Sequence, residues 1–193
     1  MLSKDILGLI AVAINITSCL NYTRYILKGR IKPHALTWLV WLIISGIISF
    51  AQWKQGAGAG AWAVQIGTLF CFTFFFLSLF KGEKNITKTD WVAFTSALAI
   101  IPIWYFTKNA LFAVILATLI DACAYYPTVR KAWFRPYEED FIMYGADVLK
   151  WVFAFQAMSD YSATTLLYPI FCTTANSSLT IMILVRRKKL RFS

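Results

Sequence analysis

The sequence predicts an all-α membrane protein. Seven transmembrane helices form two parallel three-helix repeats joined by an inversion-linker helix, a 3+1+3 plan. Three observations predict it. The chain of 193 residues is 59% hydrophobic and 15% charged, with mean hydropathy +0.62. Soluble domains carry about 25% charged residues, so a soluble fold could not hide this much apolar surface. A shift of 103 residues lays the chain on a weaker copy of itself: Tyr22 meets Tyr125, Lys28 meets Lys131 and Pro33 meets Pro136. Finally, the basic residues gather in alternate connections between apolar segments. One bundle used twice is a signature of membrane transporters and puts the working site where the copies face each other.

A bilayer core asks for roughly 20 apolar residues, and seven segments come near that length. The first, 6–27, is polar in its second half and lacks a small-residue cleavage pattern, so it reads as a retained helix, not a signal peptide. The second, 35–53, follows Pro33. The third, 58–80, follows Gly56-Ala57-Gly58-Ala59-Gly60, read as a tight turn; no Lys-Ser/Thr follows, so it is no phosphate loop. The longest polar stretch, Lys81 to Asp90, has ten residues and leaves no room for a soluble domain. The fourth segment, 90–107, contains Pro102 and is the linker helix. The fifth, 110–130, contains Pro127; the sixth is 141–158; the seventh, 161–184, contains Pro169 and leads into a basic tail. The expected units are residues 1–88 (first repeat), 89–107 (linker helix) and 108–193 (second repeat).

Charge orients these helices. Arg24, Lys28, Arg30 and Lys32 flank the first connection, and Lys81, Lys84 and Lys88 the third. Arg130, Lys131 and Arg135 flank the fifth, and Arg186, Arg187, Lys188, Lys189 and Arg191 form the tail. Only Lys4, Lys54 and Lys108 fall on the opposite face. Positive residues stay in the cytoplasm, so the N-terminus is expected outside and the C-terminus inside, and the protein is expected as a multi-pass protein of a bacterial inner membrane. Helices 1 and 5 then run the same way, which makes the repeats parallel. Trp53, Trp62, Trp91, Trp104 and Trp133 lie near segment ends, as interfacial anchors do.

Several chemistries are disfavoured. Cys19, Cys71, Cys123 and Cys172 lie singly within apolar segments, and the lone His is His34. No metal site, cofactor or catalytic residue is expected, and the chain reads as a non-enzyme. The net charge of +10 is spent on topology, so no nucleic-acid partner is expected.

Polar residues inside the segments mark the candidate site. Asn15, Ser18, Tyr22 and Tyr25 share one face of helix 1, and Thr118, Asp121, Tyr125 and Thr128 repeat that spacing on helix 5. Lipid penalises such stripes, so both should face the interior, as interhelical ties or as cavity lining. Asp147 and Lys150, three apart, share a face of helix 6. Each of Asp121, Asp147 and Lys150 would cost about 2.5–3.5 kcal/mol at a helix centre, so they should be paired or wet. A buried carboxylate short of a full set of partners can exchange a proton, and Asp121 is the candidate. Helix 7 adds Thr173, Asn176 and Thr180, with Asn176 matched at 103 to Thr73 in helix 3. Pro127, beside Thr128, interrupts the backbone ladder of helix 5 and is the candidate hinge, with Tyr22 and Tyr25 its counterparts in helix 1.

The stretch Tyr125-Tyr126-Pro127-Thr128-Val129-Arg130-Lys131-Ala132-Trp133 resembles a PQ-loop motif with Thr128 in place of glutamine. In the first copy Arg24-Tyr25 stands where Pro-Gln would be, and Lys28 and Lys32-Pro33 keep the basic turn. With its 3+1+3 plan, the chain is similar to the SWEET and PQ-loop superfamily. That resemblance implies a mover of small polar solutes such as sugars, amino acids, cystine or vitamins, although the superfamily also contains a peptide-sorting receptor. Sugar-transporting relatives hold the solute with asparagines in helices 3 and 7; Asn176 fits, and Thr73 departs. The expected function is alternating-access transport, with Asn15, Ser18, Thr73, Asp121, Tyr125 and Asn176 at the solute. The alternative is a non-transporting receptor or membrane adaptor on the same fold. The expected partners are a small polar solute and the lipid bilayer, with a homo-oligomer also compatible.

Overall fold

The computed structural model describes residues 2–29, 33, 35–82, 88–134, 136–138 and 141–191, without the side chains of residues 89, 90, 93, 104, 124, 126–128, 130, 131 and 138. Among the described residues it is all-helical: α1 (Lys4–Leu27), α2 (Ala35–Lys54), a 3-10 turn (Gly58–Ala61), α3 (Trp62–Lys81), α4 (Lys88–Thr107), α5 (Ala110–Phe134), a second 3-10 turn (Pro136–Glu138), α6 (Phe141–Ala157) and α7 (Ala163–Arg191). Local chemistry sets the ends. Ser3 caps α1 by accepting from the Ile6 N–H at 3.3 Å, and Asn109 Oδ1 accepts from the Phe112 N–H at 3.1 Å at the start of α5. Between α2 and α3 the backbone takes positive φ at Gly56 (76°) and Gly58 (63°), which glycine adopts without steric cost. The expected turn is there.

Four helical stretches are long and apolar enough to cross a membrane: Lys4–Leu27, Ala35–Lys54, Gly58–Lys81 and Ala163–Arg191. Phe94–Thr107 and Ala110–Cys123 are shorter apolar stretches. The remaining helix, α6, has 17 residues and carries both Asp147 and Lys150. Outward faces are apolar: Leu69, Phe72, Phe76, Leu79 and Phe80 of α3 are all exposed, while Asn15, Gln52, Asp121 and Asn176 are buried. Apolar outside and polar inside is the distribution a bilayer selects. Together with the long apolar helices it makes this an integral membrane protein.

The helix ends nearly match expectation, except at α7, which continues to Arg191 instead of stopping at 184. Its basic end is held to the end of α5. Arg186 Nε donates to the Trp133 carbonyl at 2.9 Å, Arg187 Nε donates to the Pro136 carbonyl at 3.0 Å, and both guanidinium groups lie over aromatic rings.

Packing follows one pattern twice. Among the described residues α3 packs closely on both α1 and α2, and α7 packs closely on both α5 and α6. The two triplets meet through α1 on α6 and α2 on α5, with lesser contacts of α2 on α7 and α3 on α6. Exchanging α1, α2, α3 for α5, α6, α7 maps each of these contacts onto another. Helix α4 stands outside both triplets and packs on α2 and α5. The main core includes Ala11, Val40, Ile44, Ile48, Ala97, Val114, Ala117 and Ala154. Its small side chains let helices approach closely.

One end of the bundle is pinned shut between the triplets. The Ser159 N–H donates to the Ala57 carbonyl at 2.9 Å, and Gln52 Nε2 donates to the Thr165 carbonyl at 3.1 Å. Gly60 lies against Ala154 and Met158, where an added Cβ would come within 2.7 Å of the Ala154 carbonyl oxygen and 2.8 Å of Met158 Cα. Lys4 reaches over the Tyr161 ring at this end. Lys81, Arg186 and Arg187 mark the opposite, basic end, where Lys81 Nζ donates to the Leu27 carbonyl.

Candidate functional site

A cavity of about 190 Å³ lies between the triplets. Six helices line it, all except α4. The first triplet supplies an apolar and aromatic wall, the second a polar and charged one.

On the first wall, Asn15 is buried and spans two helices: its Nδ2 donates to the Ala63 carbonyl at 2.8 Å, and its Oδ1 accepts from Cys19 Sγ at 3.6 Å. Ser18 and Tyr22 line the cavity beside it. Gly67 brings α3 close; an added Cβ there would meet Asn15 Nδ2 at 3.2 Å. Tyr22, Trp38, Trp41 and Phe74 form a continuous aromatic cluster, with ring centroids 4.6–5.3 Å apart in tilted or edge-to-face pairs.

On the second wall a hydrogen-bonded chain crosses three helices. Lys150 on α6 pairs with Asp147 Oδ1. Asp147 Oδ2 accepts from Asn176 Nδ2 on α7 at 2.7 Å, and Asn176 Oδ1 accepts from Tyr125 Oη on α5 at 2.8 Å. Lys150 Nζ also sits 4.6 Å over the Trp151 ring. The residue Lys150 pairs with is thus Asp147, one turn away on its own helix. Asp121, 3% exposed, stands apart from this chain. Its Oδ2 accepts from Tyr168 Oη on α7 at 3.0 Å, and the Trp41 side chain also hydrogen bonds to it. Low local dielectric strengthens each of these bonds and makes any missing partner costly.

The expected site residues fare differently. Asn15, Ser18, Tyr22, Asp121, Tyr125, Asp147, Lys150 and Asn176 all line the one cavity. Thr118 is buried, and its Oγ1 donates to the Val114 carbonyl at 2.7 Å, outside the lining. Tyr25 is exposed toward the basic end, beyond the lining. The side chains of Pro127 and Thr128, the expected hinge, lie outside the described residues, although both positions fall within α5.

Thr73 lies outside the lining. It faces outward, exposed, with its Oγ1 donating to the Leu69 carbonyl one turn back at 3.0 Å. On α3 it is Cys71, 105 residues before Asn176, that lines the cavity. Contacts at the basic end keep the same offset: Gly82 abuts the Pro33 carbonyl, and Arg187 donates to the Pro136 carbonyl. The cause is turn length. Helix α2 ends at Lys54 and α6 at Ala157, but helical backbone resumes at Gly58 in one copy and Ala163 in the other. The second turn is therefore two residues longer. Two residues rotate a helix face by about 200°, so Thr73 and Cys71 point in nearly opposite directions.

Trp38, Trp41, Phe74, Trp151 and Tyr168 were not expected at the site. One signal was legible: Tyr168, Cys172 and Asn176 recur at intervals of four on a single face of α7. Of the face named from sequence, Asn176 lines the cavity and Thr173 and Thr180 do not; Thr173 Oγ1 donates to the Pro169 carbonyl at 2.7 Å. Among the described residues no group of three or more His, Cys, Asp or Glu is placed to hold a metal ion. No protein-family model, curated protein or solved structure matches the chain.

Proposed function

We propose that this protein is a carrier for a small polar solute, working by alternating access on a SWEET- and PQ-loop-like 3+1+3 plan. The observation that carries the proposal is the single cavity lined by all six helices of the two triplets, with Asp121, Asp147, Lys150 and Asn176 inside it. A site shared by two pseudo-symmetric units can be exposed to either side by rocking one unit on the other. Support for two such units comes from the matched packing of α3 between α1 and α2 and of α7 between α5 and α6.

In this scheme Asn176 and Asp121 contact the solute, the Asp147–Lys150 pair holds Asn176 in position, and α4 is the linker. The pinned end, with Ser159 on Ala57 and Gln52 on Thr165, is the closed gate. The basic end lies in the cytoplasm, the N-terminus outside, and α5 bends at Pro127. Asp121 is the group able to take a proton in exchange for solute.

Uptake of radiolabelled sugars, amino acids, amines and nucleosides into proteoliposomes tests the proposal. Saturable uptake is expected, lost in Asn176→Val. A ligand that binds the purified protein but never accumulates would instead make it a receptor or adaptor. Undiminished pH-driven uptake in Asp121→Asn would remove the proton role.

A further inference from the structure

The cavity is short of one positive charge. Its carboxylates and amines are Asp121, Asp147 and Lys150. Lys150 is ion-paired with Asp147, whose other oxygen is taken by Asn176. Asp121 has only neutral donors, the Tyr168 hydroxyl and the Trp41 side chain, and among the described residues no basic side chain pairs with it. With both carboxylates ionised, the lining carries one uncompensated negative charge away from bulk water. Buried charges are stable only when paired.

The opposite wall is suited to a cation. Tyr22, Trp38, Trp41 and Phe74 present a clustered aromatic surface, and Trp41 belongs both to that cluster and to the Asp121 hydrogen bond. Ring faces attract ammonium groups, most strongly where water is excluded. A carboxylate beside an aromatic surface is a cation site in which neither part needs to move.

We propose that the solute is a small organic monocation, with its ammonium group held between Asp121 and the aromatic wall. A neutral sugar would leave Asp121 to be compensated by a proton alone, and an anion would add to the imbalance. The inference rests on the carrier proposal only for the movement of that solute; binding stands by itself.

Matched pairs test it: choline against 3,3-dimethylbutan-1-ol, and tyramine against tyrosol, each pair alike in shape and differing in charge. Calorimetry on the full chain in detergent should show each cation binding at least about tenfold tighter than its neutral partner. In Asp121→Asn, which keeps an acceptor for Tyr168, that preference should fall to about twofold or less, with thermal unfolding unchanged. Equal affinity within both pairs, no binding by any of the four, or a preference that survives in Asp121→Asn would each overturn the inference. The wild-type comparison decides by itself if the variant does not fold. Proteoliposomes separate the two proposals. Cation binding without choline or tyramine uptake would sustain this inference and defeat only the carrier. Uptake of a neutral sugar without cation preference would sustain the carrier and defeat this inference.

Discussion

Lys150→Met should destabilise the protein, and Asp147→Asn added to it should restore much of the loss. In the native cavity wall Lys150 is 12% exposed at its side chain and Asp147 30%. Breaking a fully buried pair by removing one partner costs about 3–5 kcal/mol, because the remaining charge is stranded. Here Asp147 keeps the Asn176 Nδ2–H and is nearly a third open to the cavity, which lowers the expected cost to about 2 kcal/mol. For a chain of this length each kcal/mol moves the unfolding midpoint by about 2–4 °C, so a fall of about 4–8 °C is expected. The double variant removes the stranded carboxylate and leaves an amide that can still accept from Asn176. It should regain at least half of that fall. Tryptophan fluorescence during heating in one detergent reads all four proteins of the cycle. A Lys150→Met midpoint within about 1 °C of wild type would refute the buried-pair reasoning. So would a double variant whose loss equals the sum of the two single losses.

Two further expectations concern packing and register. Gly60→Ala should cost about 1–3 kcal/mol, because its Cβ meets the Ala154 carbonyl oxygen and the Met158 backbone; the same heating assay reads it, and an unchanged midpoint would show that the pinned end yields easily. Thr73→Val should leave stability within about 0.5 kcal/mol and ligand binding unchanged, since that side chain faces outward, whereas Cys71→Phe should block the cavity. Isotherms for both variants check this, and a binding defect confined to Thr73→Val would restore the 103-residue register in α3.

Much of the site was legible because polar side chains inside apolar runs are expensive. Asn15, Ser18, Asp121, Tyr125, Asp147, Lys150 and Asn176 stood out against their neighbours for that reason, and they converge on one cavity. Residues 103 apart in α1 and α5 and in α2 and α6 share the cavity: Tyr22 and Tyr125, Ser18 and Asp121, and Trp41 and Tyr144 all line it. Aromatic residues offered no such contrast. Trp38 and Trp41 fit a lipid-facing helix as well as an interior one, and only the packing of α2 on α3 turns them inward.

The sequence by itself determined the apolar segments and the end of the bundle that is basic. It also determined the lopsided chemistry, with the ionisable lining groups in the second half of the chain. These follow from local quantities: run length, charge position and spacing along one helix. Tertiary structure decided three things. It paired Lys150 with Asp147 and not Asp121, because α6 brings those two within one turn while Tyr168 and Trp41 occupy Asp121. It joined the triplets at one end through Ser159 and Gln52, contacts between residues about a hundred positions apart. And it replaced Thr73 by Cys71, because two added residues in one turn rotate every side chain beyond it by about 200°, a change that apolar content does not register.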